Sequence, residues 1–261
     1  MKSIDIKKLD ELPGSQLAEN DTFSFRCHPD LTCFNQCCRN LNLYLYPYDV
    51  IRLKNHLHIT SDQFLDSFVD IVLRPENHFP SVLLKMSENE ERTCPYLTVK
   101  GCSVYLDRPD SCRTFPLEQG ILSSDENRKT KKLIHFFRPP DFCLGQHEHQ
   151  QLTPHEWAID QDAVEYNKMT AEWAQIKKLF QDDPWGKEGP DGKQGKMAFM
   201  STYNIDEFRN FVFQSSFLKR YKVKAQLLKQ IQKDDVRLMK FGFSWVKLYL
   251  FGIKSKQIQI R

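Results

Sequence analysis

Apolar residues along this chain recur at helical spacing in several stretches and at strand spacing in a few short ones. From Pro47 to Leu57, Val50, Ile51, Leu53 and Leu57 fall largely on one face behind a proline in the first turn, which predicts a helix. A second helix is predicted at once after it, started by Thr60 or Ser61, with Phe64, Leu65, Phe68, Val69 and Val72 as its apolar stripe. SVLLKMSE, from Ser81, predicts a short strand, and GILSSDENRKTKKLIHFF, from Gly120, predicts two strands joined by a polar turn. The longest periodic stretch runs from Thr153 to Phe180 and predicts one helix, with Thr153 as N-cap, Pro154 in the first turn and Glu156 as the capping-box acid. Its apolar positions are Trp157, Val164, Met169, Trp173, Ile176 and Leu179. PWGKEGPDGKQGK then places glycine at 186, 189, 192 and 195, too few triplets for a collagen-like repeat, and predicts a flexible loop. Asn204 and Glu207 predict the start of another helix, and two more are expected between residues 223 and 252.

The predicted class is therefore mainly α, with a small irregular α+β core rich in cysteine. Three regions are expected: an N-terminal extension over 1–24, a cysteine-cluster metal-binding domain over 25–150 and a helical C-terminal region over 151–261. A length of 261 residues with 40% apolar content is enough to bury a full core. No run of about 18 apolar residues is present, and the most apolar stretch, FGFSWVKLYLFGI, is too short and interrupted by Lys247, so no spanning helix is expected. Net charge is only +3, but twelve Lys or Arg between Lys219 and Arg261 face only Asp234 and Asp235, so that segment carries +10 and the rest −7. Such a segment suits an acidic protein partner or an anionic membrane surface. No nucleic-acid motif accompanies it, which disfavours nucleic acid, and a solvated helix face is the plainer explanation. Phe241, Phe243, Trp245, Leu248, Leu250 and Phe251 are dense enough that this segment is expected to pack on the body.

All eight cysteines, Cys27, Cys33, Cys37, Cys38, Cys94, Cys102, Cys112 and Cys143, lie in the first part of the chain. An even number suits a disulfide framework. The N-terminal MKSIDIKKLDELPGSQLAEN, however, has no apolar core of signal-peptide length, so a cytoplasmic, reducing location is expected, where clustered thiols bind metal. Thiolate sulfur donates strongly to zinc and iron, and a tetrahedral zinc or a cubane takes four sulfurs, so eight allow two sites or one site with bystanders. Pro95 and Pro109 keep the backbone around the second group non-helical, leaving amides free to point at sulfur. The two helices predicted between the cysteine groups require residues 27–38 to return against 94–143. His28, His147 and His149 could each replace a sulfur, although a solvent-exposed histidine is the commoner case. Arg39 and Arg113 directly follow cysteines and would either offset a cluster's negative charge, hold an anionic substrate or pair at the surface with Asp107 or Asp110.

The Cys37-Cys38-Arg39 triplet, Cys94-Pro95-Tyr96-Leu97, Gly101-Cys102-Ser103-Val104-Tyr105, Arg108-Pro109, Cys112-Arg113-Thr114-Phe115-Pro116 and the late Cys143 together resemble the YkgJ-type cysteine-cluster proteins, the CxxCxxCC zinc- or iron-chelating family. The resemblance covers about residues 25–145 and implies a bound metal or iron–sulfur cluster, with the eight cysteines as candidate ligands. The first group departs from the family's name, with five residues between Cys27 and Cys33 and three between Cys33 and Cys37. Flagellin lysine N-methylases carry a related cysteine pattern, so a cluster-dependent protein-modifying enzyme is the second reading. Vicinal cysteines and flanking arginines are less usual in zinc knuckles and favour an iron–sulfur cluster over zinc.

Other chemistries lose their usual support. Cys33 and Cys37 begin the spacing of radical S-adenosylmethionine enzymes, but position 40 is Asn. No GxGxxG, GxxxxGK[ST] or GxSxG occurs in a chain with ten glycines, which removes the signatures of dinucleotide, nucleotide and serine-hydrolase sites.

Overall fold

The computed structural model describes residues 2–5, 14–73, 78–123 and 132–261. By internal contacts the chain divides into two units, one of residues 1–43 and 86–174, the other of 44–85 and 175–261. Residues 44–85 thus group with the C-terminal helices, and 151–174 with the cysteine-bearing segments. The secondary structure is mainly α with small sheets. No helix of the described residues is long and apolar enough to cross a membrane.

The first unit is built around a four-stranded sheet. Leu117–Ser123 runs parallel to Lys2–Asp5 and antiparallel to Lys132–Phe137, which pairs in turn with Ser15–Leu17. The two predicted strands are therefore present, while their polar turn lies outside the described residues. Leu17, Phe23, Phe25, Leu117, Cys143 and Trp157 form the core of this unit, with Phe115, Phe137 and Leu152 packed on it. Trp157 meets Phe25 edge to face at 5.3 Å and donates its indole N–H to the Thr114 carbonyl at 3.2 Å, so its polar edge is satisfied inside the core.

Thr153 caps the helix as expected: its hydroxyl accepts the Glu156 N–H at 3.2 Å while the Glu156 carboxylate accepts the Thr153 N–H at 2.8 Å. The single long helix expected from there is instead two, Pro154–Asp160 and Val164–Phe180. Asp162 adopts a left-handed φ of 56° between them, a conformation Asp tolerates better than most residues. The break frees the Gln161 carbonyl, which accepts from Arg113.

In the second unit, Pro47–His56 forms the expected helix, but the next one, Ser61–Phe68, ends four residues early. Val69–Val72 leaves as a strand and pairs with Ser81–Leu84, which also pairs with Tyr44–Leu45. The β-branched VDIV suits either period, and an available partner strand decides for the sheet. The glycine-spaced segment expected as a loop contains a 3-10 turn at Gly186–Glu188, and the helix Lys193–Thr202 begins within it. Ile205–Gln214 follows, as predicted, yet the Asn204 side chain is not its cap: Oδ1 accepts from the Ser61 hydroxyl at 2.7 Å.

The two further helices are Ala225–Ile231 and Asp235–Phe251. Phe241, Trp245 and Val246 are at most 1% exposed, so the basic segment is packed as expected. A Cβ at Gly242 would stand 2.1 Å from the Ser201 carbonyl oxygen, so helices Lys193–Thr202 and Asp235–Phe251 approach this closely only with glycine there.

Buried Lys54 ties three helices together, its Nζ lying 3.1 Å from Asp206 and 3.0 Å from Asp235. Arg209 bridges the same two carboxylates. Burial pushes both carboxyls up, but hydrogen bonds from Ser61 N–H, Lys54, Asn55 and Arg209 outweigh it and hold both below the usual aspartate range. A depressed folded pKa stabilises fully above the unfolded value of about 4 and is lost as pH falls through the folded value. Lys54→Met is expected to cost about 3 kcal/mol at neutral pH, because two half-buried carboxylates then share one arginine. Urea titrations over a pH series check this: the acid decline of the variant should be shallower than that of the parent, the difference between them shrinking as pH falls below about 4 and the carboxyls protonate.

Candidate metal centre

Two short backbone seams bring the separated cysteines together within the first unit. In one, Cys94 N–H donates to the Cys38 carbonyl at 2.8 Å and Asn40 N–H to Arg92 at 3.0 Å, with Arg39 bridged to Thr93. Asn40 and Arg92 both have positive φ, 49° and 47°, which lets the chain turn sharply on each side. In the other, Phe25 N–H donates to Gln150 at 2.9 Å and Arg26 N–H to Gly145 at 3.1 Å. A Cβ at Gly145 would lie 2.7 Å from the Arg26 carbonyl and 2.9 Å from the Phe25 ring, so glycine alone lets this seam close. The expected return of residues 27–38 against 94–143 is thereby realised.

The thiols form two neighbourhoods. Burial pushes the Cys27 thiol up, and negative charge on Cys143, Cys33 and Cys38 pushes it further. Cys33 Sγ accepts the Leu144 N–H at 3.2 Å and is hydrogen-bonded with Cys143, itself raised first by burial. The second neighbourhood holds Cys94 and Cys102, with Cys112 linked to it through the Arg108 guanidinium. Cys94 is pushed up to about 11 by burial, with Cys38 and Cys102 adding to the rise. Cys102 is raised by burial and by Cys38, and the Arg108 guanidinium feels both Cys112 and Cys102. Cys38, raised by its hydrogen bond with Cys37 and then by burial, is sensed by Cys27, Cys94 and Cys102. The vicinal pair therefore stands between the two groups, on the 3-10 turn Gln36–Cys38 that follows left-handed Asn35.

Besides Leu144 N–H at Cys33, backbone amides are aimed at sulfur in three further places. Cys94 receives them from Tyr96 and Leu97, Cys102 from Val104, and Cys143 from Gly145 and Gln146. Each donation favours the thiolate over the thiol, opposing the effect of burial. Amide donors of this kind also tune metal-bound sulfur. A small set of fixed donors around crowded, half-buried thiols fits a soft cation chemically, since a metal removes the repulsion that otherwise keeps these thiols protonated. Among the described residues, no three Cys, His, Asp or Glu side chains converge closely enough to enclose a metal as they stand.

The other candidates resolve differently. His28 lies 3.5 Å from Asp30 and 3.7 Å from Glu148, while His147 and His149 are exposed. Arg39 donates to the Asn35 carbonyl at 2.7 Å and pairs with Glu91 at 3.2 Å, so it braces the turn carrying Cys37 and Cys38. Arg113 is neither a surface residue nor open to substrate. It is 2% exposed, and its guanidinium donates to the carbonyls of Arg108 at 3.0 Å, Gln161 at 2.9 Å and Leu106, with Tyr166 Oη at 3.3 Å. Its carbon lies 4.2 Å from the Tyr166 ring centroid. Neighbouring Asp110 is pushed up to about 6 by burial, with Thr170 and Arg113 pulling the other way.

Arg108 stood in the sequence only as part of the Arg108-Pro109 motif, and nothing in the local sequence marks Gln161 or Tyr166, because their role depends on a helix break 48 residues from Arg113. The amide donors carried a faint signal in the proline and small residues that follow Cys94, Cys102 and Cys143.

Residues 26–144 match the CxxCxxCC family model, described as a "Putative zinc- or iron-chelating domain". The matched segment is similar to that cysteine-cluster family and holds all eight cysteines, and metal chelation is the property the family description carries. No curated protein and no solved structure matches the chain.

Arg113→Lys is expected to lower stability by about 3 kcal/mol, because a point-charge ammonium cannot satisfy three carbonyls in a planar fork. Chemical denaturation checks this against Arg138→Lys, whose half-exposed pair with Glu118 at 3.4 Å should matter little.

Proposed function

We propose that residues 26–144 bind iron as iron–sulfur clusters through their eight cysteines. One group consists of Cys27, Cys33 and Cys143, the other of Cys94, Cys102 and Cys112, and the vicinal Cys37 and Cys38 supply one further sulfur to each. The observation that carries this reading is the grouping of thiols in two neighbourhoods on either side of the vicinal pair, four of them already receiving backbone N–H donors. Four sulfurs per site is the requirement of a cubane and of a structural zinc alike. Amide donors to sulfur and the vicinal pair favour the cluster, which would supply one-electron chemistry or structural cross-linking when bound. The protein's own part is to hold the thiolates together, to screen their charge with amide dipoles and to brace the vicinal turn through Arg39.

Anaerobically purified protein is expected to be brown and to contain iron and acid-labile sulfide in equal amounts. The paired variants C27S/C143S and C94S/C102S should each lose about half of the metal and keep the other half, since each removes ligands from one site only. Elemental analysis and absorption spectra measure both. Complete metal loss in either variant would mean one shared site, and colourless protein filled with zinc would reassign the chemistry.

A further inference from the structure

In the second unit, Tyr221–Val223 and Ile258–Ile260 form a two-stranded antiparallel ribbon with Tyr221 opposite Ile260, Lys222 opposite Gln259 and Val223 opposite Ile258. The pairing extends one residue further, where Arg261 N–H donates to the Arg220 carbonyl at 2.9 Å. One face is inward: Ile258 is 1% exposed and Tyr221 packs on Phe217 with ring centroids 4.7 Å apart. Strand alternation therefore puts Arg220, Lys222 and Lys224 on the outer face, with Gln259 and Arg261 beside them on the partner strand. Lys219, Lys254 and Lys256 flank the ribbon and are exposed.

Among the described residues, none of these seven cations pairs with a carboxylate side chain, whereas Arg209 and Arg237 of the same unit each do. Arg220 and Arg261 even lie opposite one another, a like-charge arrangement that disfavours the folded state unless an anion faces it. Exposed Ile253 and Ile260, at 42% and 69%, sit within the same run of cations.

We propose that this ribbon face docks on a bilayer surface bearing anionic phospholipids. The ribbon lies flat on its own helices, so it cannot enter a nucleic-acid groove as a free-standing arm does, and its outer face carries no aromatic ring to stack on bases. A plane of lysine and arginine with exposed Ile253 beside it matches a phosphate-rich interface, where the cations meet lipid phosphates.

The test uses the full metal-loaded chain in co-sedimentation with vesicles of phosphatidylcholine, with and without phosphatidylglycerol. Binding is expected only to the anionic vesicles, and it should vanish when salt shortens the screening length to about 3 Å. The variant R220Q/K222Q/K224Q/R261Q should bind at least about 100-fold more weakly, from roughly fivefold per cation, with a melting temperature no lower than the parent's and unchanged metal content. I253S alone should weaken binding severalfold while leaving its salt dependence intact. Equal binding to neutral vesicles, no binding to anionic vesicles at low salt, or tighter binding to duplex DNA or to polyglutamate than to the anionic vesicles would each overturn the proposal. Metal content of the unmodified protein is read separately, so failure of this surface leaves the reading of the cysteine site untouched.

Discussion

The guanidinium of Arg113 is the constraint on which the cysteine-bearing unit depends. A buried cation must be met by oxygen, and here the oxygen comes from backbone carbonyls at Leu106, Arg108 and Gln161. Two of those carbonyls belong to the irregular stretch joining Cys102 to Cys112, and the third becomes available only because the helix after Thr153 breaks. One side chain thus holds a loop without regular hydrogen bonding, orients the short helix Asp110–Thr114 that carries Cys112, and accounts for the helix break. Arg108 adds a second brace, stacked 3.9 Å from the centroid of the Tyr105 ring and bonded to Gln161 Oε1 at 2.8 Å. Irregular backbone around thiols can be rigid when guanidinium groups replace the missing ladder.

The same economy appears around sulfur. Two backbone hydrogen bonds join the segment around Cys38 to that around Cys94, and two more join Phe25 and Arg26 to Gln150 and Gly145, so short seams bring the separated cysteine segments together. Burial first, and then negative charge on neighbouring thiols, raises the pKa values of Cys94, Cys102 and Cys143, and amides at Tyr96, Leu97, Val104, Gly145 and Gln146 pull them down. Opposed effects of this size leave the thiols protonated alone and ready to ionise together beside a cation, which is the condition under which metal binding and folding become linked.

The second unit relies on more ordinary means. Its aromatic core closes around Trp245, with Phe208, Phe211 and Phe217 within 5.7 Å of its ring. Helices approach at Gly242, and the Lys54 network sets their register in a place where apolar packing alone would tolerate sliding.

Much of this was present in the one-dimensional pattern. Thr153, Pro154 and Glu156 marked their helix start because a capping box is local, and the strand pair around residues 117–137 followed from alternation. The basic terminal segment was recognisably a packed element from the density of its aromatic residues. The clustering of cysteines, with the resemblance of their flanking residues, was enough to indicate metal chelation. What only the tertiary structure decided were matters of partnership. Val69–Val72 is a strand because Ser81–Leu84 is there to pair with it. The helix after Thr153 breaks where Arg113 takes the Gln161 carbonyl, and Asn204 gives up its capping role to Ser61. Cys38 comes within electrostatic reach of Cys27 as well as of Cys94 and Cys102 because two distant seams close. Local periodicity and capping reflect interactions within a turn or two of chain, whereas the fate of a buried charge, a spare strand edge or a thiol depends on groups tens of residues away, and a sequence read in order does not show which of them will meet.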